Sequence, residues 1–330
     1  MNIITQVNGN VNISVGNFFP SWMEAERTRK DAQKWQTKKE AASRMAKKLA
    51  AIGEYGRADR MSQCASYVTG EYCPECHKLH ITRTTLCRDR LCPICTWRLS
   101  MKRYANMVEI MSHLRNAYPG SAWQFVTLTA QNCTPENLGE TIDEMCRAWN
   151  SIASRATFKR RIAGWARALE VTYNERTKTV HPHFHILTMW HECLDPIEEY
   201  IPNAWCETTL LKTARKAQNA QTIKAQQDTW HDDELSGAVL ETYKYTAKSS
   251  DLEVMPLGIF KATAEAIKGR RLVAFGGKVK EYAKILGADD MDTPDEENAE
   301  HRASCINCEA AVRRVSAEWA GTHYVWREAT

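Results

Sequence analysis

No uninterrupted apolar run in these 330 residues approaches the roughly twenty that a helix needs to cross a bilayer. The first twenty residues, MNIITQVNGNVNISVGNFFP, lack a basic segment followed by an apolar core, so no secretory signal is read there. A cytoplasmic location without membrane attachment is the expectation. The sequence also lacks an internal repeat and a large excess of charge. With 44 Lys and Arg against 40 Asp and Glu, the formal net charge is only +4, too small by itself to point to a nucleic-acid partner.

What is present is an ordinary globular composition, 43% apolar and 25% charged, in a chain long enough for more than one folded unit. The 12 cysteines are not evenly spread, and six fall between Cys64 and Cys95. Disulfides seldom persist in a reducing compartment, so clustered thiols there read as metal ligands. Charge is uneven too. Residues 24 to 60 hold 11 bases against 6 acids, RATFKRR spans 155 to 161 and KGRRLVAFGGKVK spans 268 to 280, whereas residues 289 to 300 hold seven acids and no base.

Composition divides the chain into four consecutive segments. Residues 1–60 include a long Ala-, Lys- and Glu-rich stretch free of Gly and Pro, expected to be a polar, solvated helix. Residues 61–100 form a cysteine module, 101–286 the largest segment, and 287–330 an acidic linker with a short tail. Within the third segment WQFVTLTA (123 to 130) alternates as a strand does, and a helix is expected from about 135 to 161. ALEVTYN and TVHPHFHILTMW, separated by the polar ERTK, read as a hairpin.

Alternation along the second hairpin strand turns His181, His183 and His185 to one face. If Glu175 to Lys178 form the loop, counting back along an antiparallel ladder sets Glu170 opposite His183. Two imidazoles and a carboxylate then make a three-ligand site for Mg²⁺, Mn²⁺ or Zn²⁺, with His181 as an optional fourth. A slip of one residue would turn the glutamate away. Further on, GAVLETYKYTAKSSD (237 to 251) reads as a helix with Glu241, Tyr245 and Lys248 along one side and Tyr243 rotated off it. A phenol is a poor nucleophile near neutral pH, so such a tyrosine needs a nearby cation or a metal-polarised electrophile.

The order FVTLTA, HPHFHIL, KYTAK, with CRDRLCPICTWR ahead of it and RRLVAFGG behind, resembles the His-hydrophobe-His endonucleases, specifically the initiator proteins of small rolling-circle plasmids. The resemblance covers roughly residues 60 to 285. It implies a metal pair at His183 and His185, a DNA-attacking nucleophile at Tyr245, and a glutamate at Glu241 that ends the cycle on water. Glu170 as third ligand and Lys248 as the cation beside the phenol are readings of the residues themselves. The repeated His-apolar pattern also fits the histidine-triad nucleotide hydrolases, but those small proteins carry no cysteine module.

Two Cys-x-x-Cys pairs, CPEC and CPIC, give Cys73, Cys76, Cys92 and Cys95 as the expected tetrahedral zinc set. The plasmid family implies an alternative in which Cys64 and Cys87 join the downstream pair, leaving room for a second ion. Such a closed site would be structural and would present Arg88, Arg90 and Arg98 to DNA. Cys305 and Cys308 read equally as two free thiols or as a further half-site.

The expected fold class is therefore α+β: a central antiparallel sheet of the endonuclease type with the histidine strand in its middle and helices on one face, preceded by a zinc module. The expected function is metal-dependent DNA nicking and strand transfer with Mg²⁺ or Mn²⁺, on single-stranded, hairpin and duplex DNA of a plasmid double-strand origin. Host helicase, single-strand-binding protein and polymerase would follow. A single-strand transposase would use the same residues, and a non-catalytic zinc-containing DNA-binding regulator would need only the cysteines and the basic segments.

Overall fold

The computed structural model of the protein describes residues 20–23, 25–208, 249–290 and 302–328. Among the described residues a short 3-10 helix (Ser21–Met23) precedes helices α1 (Glu26–Ala51) and α2 (Tyr55–Gln63), then strands β1 (Tyr67–Tyr72) and β2 (Leu79–Thr84). Helix α3 (Pro93–Ala117), β3 (Trp123–Thr129), α4 (Leu138–Ser154), α5 (Ala156–Arg161), β4 (Ile162–Asn174), β5 (Thr179–Trp190) and α6 (Tyr200–Cys206) follow. After residue 248 come α7 (Ser249–Val254), α8 (Leu257–Ile267), β6 (Val273–Gly276), α9 (Gly277–Ile285), β7 (Arg313–Trp319) and β8 (Tyr324–Glu328).

These elements group into two compact units that do not follow the four consecutive segments expected from composition. The first is discontinuous, built from Met1–Glu40, Gln63–Thr85 and Glu296–Thr330; the second comprises Ala41–Ser62 and Leu86–Asp295. The expected C-terminal tail supplies two strands of an antiparallel sheet in the order β2-β1-β7-β8. Helix α1 is likewise not simply solvated. Thr28, Ala32, Trp35, Lys39, Ala42, Ala46 and Leu49 are all buried, a stripe with alternating steps of four and three. Within the first unit Lys39 offsets the cost of its burial by donating to the Cys64 carbonyl (2.6 Å) and Ser66 Oγ (3.0 Å).

The second unit carries the antiparallel sheet β3-β5-β4-β6, with the histidine strand β5 in its interior. Asn174 pairs with Thr179 across the turn and Glu170 faces His183, the register expected from loop length. Asn174 Oδ1 fixes that turn by accepting the backbone N–H groups of Arg176 and Thr177. Pro182 is tolerated in an interior strand because its missing N–H falls on the β3 side, where β3 ends at Thr129. There the Ala130 N–H reaches the Pro182 carbonyl (3.3 Å), and the regular ladder gives way to a lone bridge between Cys133 and Val180.

Helices cover both faces of this sheet, not one. On the face shared by His183 and His185, Met107, Ile110 and Leu114 of α3 and Val279 and Ala283 of α9 pack with Phe125, Leu187 and Met189. On the other, Trp149 of α4 meets Trp165 edge-on and Trp205 of α6 meets Phe184.

The FGG sequence at 275 to 277 has a steric reason. A Cβ on Gly276 would lie 2.2 Å from the Trp165 ring, and one on Gly277, at φ +57°, would lie 2.2 Å from the Ala163 carbonyl oxygen. Gly269 also has positive φ (+71°) but faces open space. Gly269→Ala should therefore cost only about 1 kcal/mol in a denaturant titration. Gly277→Ala should cost about 3 kcal/mol or more, because backbone must move as well.

Candidate metal centres

Glu170, His183 and His185 come together on the inner face of β4 and β5, each less than 9% exposed. One carboxylate oxygen, Glu170 Oε2, lies 3.0 Å from His183 Nε2 and 2.9 Å from His185 Nε2. The outer ring nitrogens are also held. His183 Nδ1 is 3.3 Å from the His181 carbonyl and His185 Nδ1 is 3.2 Å from Thr127 Oγ1. A carbonyl can only accept, so the contact with the His181 carbonyl places a proton on His183 Nδ1. Glu170 Oε2, His183 Nε2 and His185 Nε2 thus converge, and positive charge among them, a proton on a ring or a metal ion, holds them together.

The donor set fits a divalent ion. A six-coordinate ion about 2.1 Å from its donors sets neighbouring donors about 3.0 Å apart, and both Glu170 to histidine separations match. Partners on the outer nitrogens aim Nε2 of both rings inward, as supports of metal-bound imidazoles do. The Phe125 ring, stacked on His185 at 5.5 Å, fixes its plane. Burial works to raise the Glu170 carboxyl, but the hydrogen bonds and charges of His183 and His185 outweigh it and hold the group well below the usual carboxylate range. It is therefore ionised throughout the range in which imidazole binds metals. His181 stands outside the three-residue group. Its burial, with the neighbouring His183, lowers its pKa and favours the neutral ring.

Thr127 was not singled out from the sequence, although alternation through FVTLT places it on this face and the register sets it opposite His185. Glu241, Tyr245 and Lys248, with Tyr243, lie outside the described residues. The described chain resumes at Ser249, and Asp251 Oδ2 accepts the Tyr173 backbone N–H (3.2 Å) three residues along β4 from Glu170.

The expected zinc set of Cys73, Cys76, Cys92 and Cys95 is not the one that assembles. In the first unit Cys73 and Cys76 converge with Cys305 and Cys308, all four sulfurs within 4.8 Å of one another. In the second, Cys92 and Cys95, which open α3, converge with Cys87. Cys64 belongs by sequence to the first unit. Pairing by sequence distance failed because the antiparallel sheet delivers the CINC segment beside CPEC from the far end of the chain. The Asn307 backbone N–H draws the Cys305 thiol down to about 6. On Cys308 the Ala310 N–H pulls the thiol down, but the neighbouring sulfurs and burial outweigh it and push it up to about 12.

The arginines expected to face DNA are partly engaged within the second unit. Arg90 donates to the carbonyls of Ile267 and Arg270 at the end of α8, where a guanidinium opposes the helix dipole. The loop that carries it is pinned by a bidentate pair, Arg57 Nε and Nη2 to Asp89 at 2.7 and 3.0 Å.

Mn²⁺ calorimetry checks the histidine centre. His185→Ala should weaken binding more than about a hundredfold and Thr127→Val about tenfold. His181→Ala keeps the carbonyl that His183 uses and should change affinity less than about threefold.

Comparison with known proteins adds the family. A family model described as "Replication protein" matches residues 78–325. A curated "Protein rep" from Bacillus amyloliquefaciens is 31% identical over 295 residues, covering 79% of this chain and 84% of the relative. Another from a Bacillus species is 30% identical, covering 72% of this chain and 83% of the relative. A "Protein rep" from Lentilactobacillus hilgardii is 23% identical across 92% of this chain and 98% of its own length. No solved structure matches. The matched span takes in the histidine strand and most of the cysteines, and the chain belongs to the replication-protein family, that of the plasmid initiators its motifs resemble.

Proposed function

We propose that this replication protein starts and ends rolling-circle plasmid replication by nicking one origin strand and holding the 5′ end on Tyr245. The observation that carries the reading is the convergence of His183 Nε2 and His185 Nε2 on one Glu170 oxygen, at 3.0 and 2.9 Å, in a chain of this family. A divalent ion bound there, Mg²⁺ or Mn²⁺, would act as a Lewis acid toward a phosphate oxygen. Glu170, His183 and His185 would hold it, and Thr127 and the His181 carbonyl would keep the imidazoles aimed.

Tyr245 is the nucleophile in this reading. Its phenolic oxygen attacks the scissile phosphorus, the bond to the 3′ oxygen breaks, and that oxygen takes a proton and becomes the primer end. Lys248 stabilises the phenolate. The phosphotyrosine keeps the bond energy, so rejoining by attack of a 3′ hydroxyl requires no ATP. Glu241 serves at termination as the general base for water, which lets the second cleavage finish without a new tyrosine adduct. Reach supports the assignment. Tyr173 lies about 10 Å along β4 from Glu170, Asp251 is tied to it, and the six residues from Asp251 back to Tyr245 extend at most about 21 Å.

The cysteine group of the second unit serves this reading as a scaffold. Cys87 and Cys95 sulfurs are 3.6 Å apart, near the roughly 3.8 Å of thiolates on a tetrahedral zinc. With Cys92 they would supply three thiolates of a structural zinc site.

Incubation with Mn²⁺ and single-stranded DNA from around its own gene tests the proposal by intact mass. The expected product is a metal-dependent adduct bearing 5′-terminal DNA, absent in Tyr245→Phe and retained in Tyr243→Phe. His183→Ala should slow its formation at least about a hundredfold, the loss of roughly 3 kcal/mol of transition-state stabilisation. Tight binding by metal-loaded protein with neither adduct nor cleavage would instead identify a non-catalytic regulator.

A further inference from the structure

We propose that Cys73, Cys76, Cys305 and Cys308 hold a structural zinc ion of their own, which clamps the first unit shut between distant parts of the chain. The sulfurs of Cys73 and Cys308 lie 3.5 Å apart and those of Cys76 and Cys305 3.6 Å apart, bridging sequence separations of 235 and 229 residues. Four thiolates about 2.3 Å from a tetrahedral zinc sit about 3.8 Å apart, and a covalent S–S bond would require about 2.0 Å. The observed spacing is that of ligands around a shared ion.

The two halves are built alike, which four incidental thiols would not be. Each is a Cys-x-x-Cys turn closed by the same backbone bond five residues on: Cys73 N–H to the Lys78 carbonyl (3.0 Å) and Cys305 N–H to the Ala310 carbonyl (2.7 Å). In each, the residue after the second cysteine takes the left-handed conformation, His77 at φ 55° and Glu309 at φ 59°. Each directs a backbone N–H at its first sulfur, Cys76 N to Cys73 Sγ and Asn307 N to Cys305 Sγ, both 3.5 Å. Such bonds orient a thiolate and temper its charge. Lys78 Nζ to Asn307 Oδ1 (3.2 Å) and the Arg302 N–H to Glu71 Oε1 (2.6 Å) join the two halves beside the sulfurs.

Saturated by thiolates, the ion has no open position and is structural. Its thiols release their protons as it binds. It lies where the β1–β2 hairpin meets the segment leading into β7, the junction that sets the strand order β2-β1-β7-β8. The first unit therefore cannot close until residues 305–308 have been made, long after β1 and β2. None of its four cysteines belongs to the second unit's cysteine group or takes part in the proposed nicking chemistry.

The full-length protein, purified without chelator, tests the proposal by alkylation and mass spectrometry, with the exposed thiol of Cys193 as internal reference. In the zinc-loaded protein Cys308, though exposed, and Cys305 should react with iodoacetamide at least about tenfold more slowly than Cys193. After zinc is stripped with a strong chelator, Cys73, Cys76, Cys305 and Cys308 should become reactive together. Elemental analysis of a Cys305→Ser/Cys308→Ser double variant should show one zinc fewer per chain than wild type. Alkylation of Cys305 and Cys308 as fast as Cys193 in the zinc-loaded protein would overturn the proposal. So would an intact mass showing these cysteines in disulfides, or full zinc retention by the double variant. If that variant does not fold, alkylation of the wild-type chain decides.

Discussion

One oxygen of a buried carboxylate, facing two imidazole nitrogens, sets the terms for the second unit. Glu170, His183 and His185 can share a point only if β4 and β5 pair in one register, because a slip of a single residue would turn Glu170 to the opposite face. That register is set locally by the Asn174 turn. It is held globally by packing, since the residues that continue the same faces, Leu187, Met189 and Phe125, belong to the core beneath α3 and α9. The converging side chains and the core occupy alternate positions of one face on the paired strands. Moving the histidines would mean moving the core, so the site inherits the rigidity of the packed interior.

Much of this was legible in the sequence, for identifiable reasons. A four-residue loop between two alternating strands leaves few registers, and the apolar half of each strand selects among them, so the Glu170 to His183 pairing followed from counting. The α1 stripe was not legible because Thr28, Lys39 and three alanines stand where large apolar side chains would announce burial. The Ala residues allow close approach, and Lys39 is tolerated in the interior because the Cys64 carbonyl and Ser66 hydroxyl accept its N–H bonds. Helices on both sheet faces were missed for a related reason. The β5 strand is buried along nearly its whole length, and its three histidines made one face look polar.

The cysteines show where reading along the chain stops working. Spacing marked CPEC and CPIC as pairs, yet it joined them to each other, whereas each converges with cysteines elsewhere. CPEC lies in a hairpin and CPIC begins a helix, and each has closer partners elsewhere. Cysteines supplied from opposite ends of the chain cannot be paired by sequence distance, only by strand order. The same topology makes the first unit discontinuous, with the catalytic candidate encoded between its parts. In a replication protein of this kind, a completed first unit then implies that the whole of the second has already been synthesised.

The account depends on a divalent ion bound by two ring nitrogens and one carboxylate on the β4–β5 face. Pulsed electron paramagnetic resonance of the Mn²⁺-loaded protein with its histidines labelled with ¹⁵N measures this directly. The predicted result is hyperfine coupling to two imidazole nitrogens, reduced to one in either His183→Ala or His185→Ala. Manganese that binds with no nitrogen coupling, or with coupling unchanged in both variants, would place the ion elsewhere and contradict the account.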